Sequence, residues 1–442
     1  MTAFGAPWVA AALDAIDRDW RAGGACVALS GGLDSVVLLH AMSSLAAGRA
    51  FKLRALHVDH GLHRASGDWA ESCRRTCLEL SVPLTELRLR LVPQRGDSVE
   101  AAAREARYAA LANSLARGER LLTAHHRDDQ LETVLIQLLR GAGVAGLAAM
   151  PARAPCGGGW HLRPFLGTDR AQIQAYAEQH ALSWQEDPMN AALRFDRAWL
   201  RARVLPAIRE RWPAAATTVS RSASHLAEAS RLLDAQAAAD AADLIDDGRL
   251  SLSALEGLDG QRQANVLRWW LRRSGLPAPP AARLAEALRM FREARDDASP
   301  VLRWKDGELR RYRGRLYAMA PIGDHGDEVQ ADVGRLLPLG PGLGQFALVA
   351  GHGGGLPADS RWTIRFRQGG ESLRPHPGRP RKRLKDLCQE AGIVPWMRDR
   401  LPLVFGDGRL VAVGDLWLDA DVALPDGVPS LLPCWRDRPP LY

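Results

Sequence analysis

The chain has 442 residues, more than one ordinary hydrophobic core accommodates, so two or three domains are expected. Its 58 Lys+Arg outnumber 51 Asp+Glu for a formal net charge of +7, which suits a polyanionic partner without requiring one. Six scattered cysteines with no C-x-x-C pair exclude a disulfide scaffold, the first residues have no signal-peptide pattern, and the longest apolar stretch, Ala142 to Met150, is too short for a bilayer; a reducing, cytoplasmic setting is expected.

From Ala25 to Gly141 short β-rich runs alternate with amphipathic helical ones, the pattern of a parallel, doubly wound sheet. Ala25 to Leu29 reads as a buried strand ending in Ser30-Gly31-Gly32, and Ser35 to Met42 as the helix after it. Leu53 to Val58 is a second strand, Asp68 to Leu80 a helix on which Cys73 and Cys77 are neighbours, and Leu84 to Leu91 a third strand. A capping box of Asp97 and Glu100 opens a helix that runs to Arg117. Arg120 to Ala124 is the next strand, and the helix from Asp128 puts Leu131, Val134, Leu135, Leu138 and Leu139 on one face. A Pro/Gly-rich passage, Pro151 to Gly159, leads through Leu162-Arg163-Pro164-Phe165-Leu166 to a helix from Asp169.

Beyond Arg203 the character changes. Ala214 to Ala242, Gly260 to Ser274 and Ala281 to Arg295 are helical, Val329 to Gly355 reads as a linker with short strands, and strand-like runs at Thr363 to Phe366 and Leu410 to Gly414 surround a helix at Lys382 to Ala391. The expected division is an α/β, doubly wound parallel-sheet domain over residues 1–212, a helical middle domain over 213–328 and a small, basic α/β domain over 329–442.

The strongest local signal is Ser30-Gly31-Gly32-Leu33-Asp34-Ser35, set between strand and helix. Glycines let the backbone turn and approach a ligand closely, and the unpaired N–H groups of the turn and helix start form an anion nest. The Gly-Lys-Ser/Thr of a Walker A loop is missing, which disfavours ordinary γ-phosphate transfer. An Asp inside an anion site repels phosphate unless a divalent cation intervenes, so Asp34 is assigned to Mg²⁺.

This hexapeptide resembles the PP-loop of the ATP pyrophosphatases, which cleave ATP between the α- and β-phosphates and form adenylated intermediates. The loop alone does not choose among their chemistries; the following segments do. His57-Val58-Asp59-His60-Gly61-Leu62 is similar to the H-V-x-H-x-L stretch of the lysidine synthetases, although His63 and Arg64 stand where the family commonly has Arg at once. Arg104 with Glu105-Ala106-Arg107-Tyr108 resembles the family's R-x-x-R-Y helix, and Thr123-Ala124-His125-His126-Arg127-Asp128-Asp129-Gln130-Leu131-Glu132-Thr133 its T-A-H-H-x-D-D-Q-x-E-T turn. Asp187-Pro188-Met189-Asn190 followed by Arg197 and Arg201 resembles D-P-x-N … R-N-x-x-R, with Ala198 in place of the Asn. Arg365 to Glu371, the basic stretch Arg374, Arg379, Arg381, Lys382, Arg383 and Lys385, and Trp396 to Pro402 resemble the family's carboxyl-terminal domain.

The resemblance implies ATP and Mg²⁺ at Ser30, Gly31, Gly32, Leu33, Asp34 and Ser35 with Val58 beside them, and Asp34, Arg107, His125, Asp129 and Arg201 as the catalytic set. It implies that the wobble cytidine of a CAU-anticodon tRNA(Ile) is adenylated at its C2 oxygen and that free L-lysine displaces AMP, converting AUG to AUA decoding. Asp128, Asp129, Glu132, Arg104 and Arg197 would hold substrates, with Arg374, Arg381, Lys382, Arg383 and Lys385 as a phosphate-reading patch. A homodimer is one assembly the resemblance allows. The alternative within the class is a tRNA thiolase or another nucleobase-adenylating enzyme; the persulfide Cys or C-x-x-C cluster of a thiolase is not visible.

Overall fold

The computed structural model describes residues 3–47, 51–59, 66–89, 99–185, 195–295, 298–326 and 328–442. The chain parts into two compact units, Met1–Leu232 and Leu233–Tyr442.

The first unit is built on α1 (Ala6–Ile16), β1 (Ala25–Ala28), α2 (Leu33–Ala46), β2 (Leu53–Asp59), α3 (Ser66–Glu79), β3 (Leu84–Arg88), α4 (Val99–Asn113), β4 (Arg120–Leu122) and α5 (Arg127–Leu139). A short α6 (Val144–Leu147), the hairpin β5 (Arg153–Cys156) and β6 (Gly159–Leu162), and α7 (Arg170–Gln179) follow. The sheet order is β3-β2-β1-β4-β6-β5, parallel except for β5, which is antiparallel to β6. Strand order reverses between β1 and β4, so the crevice beyond their carboxyl ends is where an α/β sheet receives a ligand.

All four residues of β1 are buried, as a central parallel strand covered on both faces requires. Helix α2 is buried nearly all round through Leu33, Val36, Val37, Leu38, Leu39 and Met42, each contributing about 1.5–3 kcal/mol. It therefore cannot shift without disturbing the core, and the loop before it is held firmly. Cys73 and Cys77 of α3 are buried free thiols, which burial pushes up to about 12 and about 11, so they are unreactive as nucleophiles.

Two features of this unit depart from expectation. The Pro/Gly-rich passage after Met150 forms the β5–β6 hairpin, and β6 extends the parallel sheet beside β4. On α5 the leucine face is not the buried one: Leu131 is buried, whereas Leu138 and Leu139 are exposed. Asp129, Gln130 and Glu132 are buried instead, because the amino-terminal half of α5 packs into a polar cluster and only Leu131 and Leu135 join Leu205 and Ala215. The expected capping residue Asp97 lies outside the described residues.

Short α8 (Asp196–Trp199), a π-turn (Leu200–Val204) and α9 (Leu205–Arg211) lead to α10 (Ala215–Asp240), within which the two units divide. The second unit carries the expected helices, here α12 (Gly260–Arg273) and α13 (Ala281–Glu293) after a short α11 (Leu252–Glu256). It also carries an unforeseen sheet of β7 (Ile245–Asp246), β8 (Arg249–Ser251), β9 (Val301–Trp304), β10 (Gly307–Tyr312) and β11 (Arg315–Met319), ordered β7-β8-β11-β10-β9. Leu250, Leu309 and Leu316 of its strands share a core with Trp270, Leu271 and Phe291 of α12 and α13.

The expected linker is mostly structured. After β12 (Val329–Ala331) and β13 (Leu337–Pro338), β14 (Gln345–His352) pairs along its whole length with the terminal strand Pro429–Arg436, and Phe346 and Leu348 are fully buried. The remaining elements are β15 (Trp362–Arg365), β16 (Ser372–Leu373), β17 (Lys382–Arg383), α14 (Leu384–Glu390), α15 (Pro395–Arg398), β18 (Leu403–Gly406), β19 (Arg409–Val413) and β20 (Trp417–Leu418). Among the described residues no helix is long and apolar enough to cross a membrane.

Candidate active site

The Ser30–Ser35 loop joins β1 to α2. Gly31 sits at φ +84°, a conformation costly for a residue with a Cβ, and a Cβ there would also meet the Cys73 sulfur at 3.2 Å. The loop is braced internally: Ser35 Oγ donates to the Gly32 carbonyl at 3.0 Å and lies 3.0 Å from Ser30 Oγ, while the Gln185 N–H donates to the Gly31 carbonyl at 2.9 Å. Gly32 caps α2 without a side chain, so the first N–H groups of this helix are left for an anion.

Asp34 stands in the first turn of α2. Burial pushes its carboxyl above the usual range, His126 opposes this and Asp129 adds to it. Its Oδ1 is buried and has no hydrogen-bond partner among the described residues. His126 Nε2 lies between two carboxylates, 3.7 Å from Asp34 Oδ2 and 3.6 Å from Asp129 Oδ2.

His126 also caps α5: its Nδ1 accepts from the Asp128 N–H at 3.2 Å, and the Asp129 carboxylate accepts from the His126 N–H at 2.9 Å. The nitrogen that accepts a backbone proton carries none itself, which leaves Nε2 as the donor facing the acids. The acids of this turn are matched by arginines from the segment after α8. Arg201 Nη2 donates to Asp129 Oδ1 at 3.0 Å and to Glu132 Oε2 at 2.9 Å, and its Nε donates to Glu132 Oε1. Burial lowers the Arg201 pKa, but Glu132 and Asp129 outweigh it and hold the guanidinium above its ordinary value. Arg209 pairs with Asp128 at 2.9 Å, and Arg197 donates to Thr133 Oγ1 at 3.1 Å. Asp128, Asp129 and Glu132 thus share one region as expected, but each is already ion-paired.

On α4, the Arg104 guanidinium lies 5.2 Å from the Tyr108 ring centroid, and burial lowers the Arg107 pKa, with Arg104 adding to the effect and Tyr108 opposing it. At the end of β2, His57 donates through Nδ1 to the Leu29 carbonyl at 2.9 Å, which ties the strand end to the loop. The Val58 side chain packs with Cys26, Ala28 and Leu121, so a ligand would meet its backbone rather than its side chain. His60, His63, Arg64 and Asp187 to Asn190 lie outside the described residues.

The basic stretch belongs to the second unit, where much of its charge is engaged. Arg381 Nη1 lies 2.9 Å from Asp419 Oδ2, Arg409 Nη2 donates to Asp419 Oδ1 at 3.1 Å, and Arg374 pairs with Asp421 at 2.9 Å. Lys382 pairs with Glu390 at 2.5 Å. Arg383 and Lys385 are exposed.

Arg209, Thr123, His161 and Arg163 were given no role by sequence reasoning. Arg209 follows a π-turn, so no fixed helical spacing links it to Asp128. His161 and Arg163 flank the end of β6, and a two-residue period recognised there would have put both on one face.

Among the described residues no three His, Cys, Asp or Glu side chains are placed to hold a metal ion by themselves. Asp34 with its unpartnered oxygen fits a cation whose remaining ligands come from phosphate and water.

Family models match three segments: a PP-loop domain over residues 9–208, a TilS substrate binding domain over 250–317 and a TilS substrate C-terminal domain over 362–432. The tRNA(Ile)-lysidine synthase of Coxiella burnetii is 42% identical over 393 residues, 88% of this chain and 88% of its own length. That of Alkalilimnicola ehrlichii is 45% identical over 404 residues, 89% and 90% of the two chains. Among solved structures, a U34-tRNA thiolase of Methanococcus maripaludis with its [4Fe-4S] cluster aligns at 16% identity and a TM-score of 0.42, over 50% of this chain and 79% of its own.

Proposed function

The chain belongs to the tRNA(Ile)-lysidine synthase family, and from that premise we propose that it ligates free L-lysine to C2 of the wobble cytidine of a CAU-anticodon tRNA(Ile), consuming ATP and releasing AMP and pyrophosphate. The observation that carries this reading is Asp34, with a buried oxygen that has no partner among the described residues, in the first turn of α2 opposite the His126–Asp129 turn of α5.

In this reading the N–H groups of the Ser30–Ser35 loop receive the ATP phosphates. Asp34 would hold Mg²⁺, which when bound offsets phosphate charge and makes the α-phosphorus more electrophilic. The cytidine C2 oxygen attacks that phosphorus and pyrophosphate leaves, with Arg107 offsetting the charge that develops on it. The ε-amine of lysine then forms the C2–N bond as the C2–O bond to AMP breaks, and the amine gives up a proton.

Glu132, 1% exposed and closed by Arg201, is suited to positioning that arginine. The Asp128 side chain, 18% exposed, is the more open place for the lysine ammonium, which would share it with Arg209. Arg104 and Arg197 are assigned to the nucleotide or the tRNA backbone. The same reading assigns residues 1–212 to catalysis and 213–328 and 329–442 to tRNA binding, in a cytoplasmic enzyme; the segments matched at 250–317 and 362–432 fall inside these divisions.

Incubation with tRNA(Ile), ATP, Mg²⁺ and labelled lysine, followed by nucleoside analysis, should yield labelled lysidine. Asp34→Ala should reduce the rate by roughly 10²–10³-fold or more. Incorporation of labelled sulfur instead of lysine would identify a thiolase, and a wild-type rate in Asp34→Ala would remove the assignment of the metal.

A further inference from the structure

A run of hydrogen bonds approaches His125 from behind the site. Arg163 Nη2 lies 3.0 Å from His161 Nδ1, His161 Nε2 lies 2.7 Å from Thr123 Oγ1, and Thr123 Oγ1 lies 2.8 Å from His125 Nδ1. Arg163 is buried and anchored, with Nη1 donating to the Pro151 carbonyl at 2.7 Å, and His161 and Thr123 are buried as well.

The direction of this run follows from its first member. A guanidinium has donors and no acceptor, so His161 Nδ1 must accept. In a neutral ring the proton then sits on Nε2, which donates to Thr123. The Thr123 hydroxyl has one proton, and with its oxygen accepting from His161 it donates to His125 Nδ1. His125 Nδ1 therefore carries no proton, and its Nε2 does.

Both rings are kept neutral. Burial, with Asp129 opposing it and Arg163, Arg104 and Arg197 reinforcing it, pushes His125 down to about 3. Burial pushes His161 down too, with Arg163, His125, Arg104 and Arg107 adding to the effect. These groups come from α4, α5, α8 and the end of β6, the elements from which charge reaches the two rings.

We propose that Arg163, His161 and Thr123 form a one-way hydrogen-bond relay that holds His125 in its Nε2–H tautomer, so that the ring meets substrate only as a hydrogen-bond donor. The inference rests on the reading of His125 as a substrate-facing group. It deepens that reading: a neutral donor stabilises negative charge on the adenylyl phosphate or the departing AMP. It cannot take the proton from the lysine amine, which must pass to a carboxylate or to water. Thr123, His161 and Arg163 are positioning residues.

The test uses the full chain. In protein labelled with ¹⁵N-histidine, the His125 resonances, identified by their loss in His125→Asn, should report Nδ1 unprotonated and Nε2 protonated. Thr123→Val, nearly isosteric, should give a mixture of tautomers and lower kcat for lysidine formation by roughly 10- to 100-fold, with KM for ATP and lysine changed by less than about 3-fold. Thr123→Ser, which keeps the hydroxyl, should restore both the tautomer and most of the rate.

A wild-type His125 protonated on Nδ1, a folded Thr123→Val with wild-type kcat, or a Thr123→Ser as impaired as Thr123→Val overturns the relay. If Thr123→Val fails to fold, the wild-type spectrum alone decides. Absence of lysidine formation by the wild-type chain would instead defeat the functional reading, and the tautomer would still be read independently.

Discussion

Two clusters of arginine and carboxylate, one in each unit, use the same side chains to different ends. In the first unit Arg201 closes on Asp129 and Glu132 beside the phosphate-type loop, and one neighbouring carboxylate oxygen, Asp34 Oδ1, has no partner among the described residues. In the second unit Asp419, fully buried, gathers Arg381 and Arg409 and accepts from the backbone N–H groups of Asp421 and Arg374. The first cluster leaves one acid oxygen unpartnered among the described residues, whereas the acid at the centre of the second is saturated by its own chain. A run of basic residues is therefore not the same as a free basic surface: cations already held by buried acids shape a loop before they attract a polyanion.

The largest effect that would sharpen this contrast is expected at Arg201. Arg201→Met leaves Glu132 buried with its charge unpaired, which should cost about 3–5 kcal/mol in the first unfolding transition and abolish lysidine formation. Adding Glu132→Gln should recover most of the stability and none of the activity. Recovery of both would reduce the pair to a structural one.

Asp419→Asn should cost about 2 kcal/mol, read by urea denaturation at neutral pH. Burial raises the Asp419 pKa, but the two backbone N–H groups, Arg381 and Arg409 outweigh it, so the folded-state value is depressed. A depressed carboxyl contributes stability that is fully present above the ordinary unfolded value and is lost as pH falls through the folded value. The wild type should therefore lose stability on acidification from the ordinary carboxylate range downward, and Asp419→Asn should lose less over that window. An equal slope in both would break the assignment of Asp419 as the centre of the cluster.

Smaller effects are expected at the surface. Arg383→Ala and Lys385→Ala should weaken tRNA binding and each reduce its log–log salt slope by about 1 if the side chain meets a phosphate. Lys382→Ala, which removes an exposed pair with Glu390, should change stability by about 0–1 kcal/mol. A larger loss of tRNA affinity from Lys382→Ala than from Lys385→Ala would reverse the distinction between engaged and free cations.

The sites differ in how much of them could be read beforehand. Ser30 to Ser35 and His125 to Thr133 are contiguous runs, so residue type and position in a strand–turn–helix unit suffice to single them out as candidates. The partners that complete the second run come from elsewhere: Arg201 from within a π-turn and Arg209 from the helix after it, and His161 and Arg163 from a hairpin whose prolines and glycines disguise its strands. The exposure of Leu138 and Leu139 shows the same limit within one helix. Periodicity states which residues share a face, and only the packing of α5 decides that the buried part of its first turns is polar.

By itself the sequence determined the alternation of strand and helix through Leu139, the glycine loop with Asp34, and the acidic turn after β4, because backbone freedom, hydrophobic period and capping act over a few residues. Tertiary structure alone decided that β14 is a core strand rather than a linker, since its partner lies at the other end of the second unit. It also decided which charges remain available. The run Arg381 to Lys385 is equally basic in the sequence whether or not Asp419 and Glu390 meet it; burial and pairing, which depend on residues distant in the chain, leave Arg383 and Lys385 exposed and engage Arg381 and Lys382.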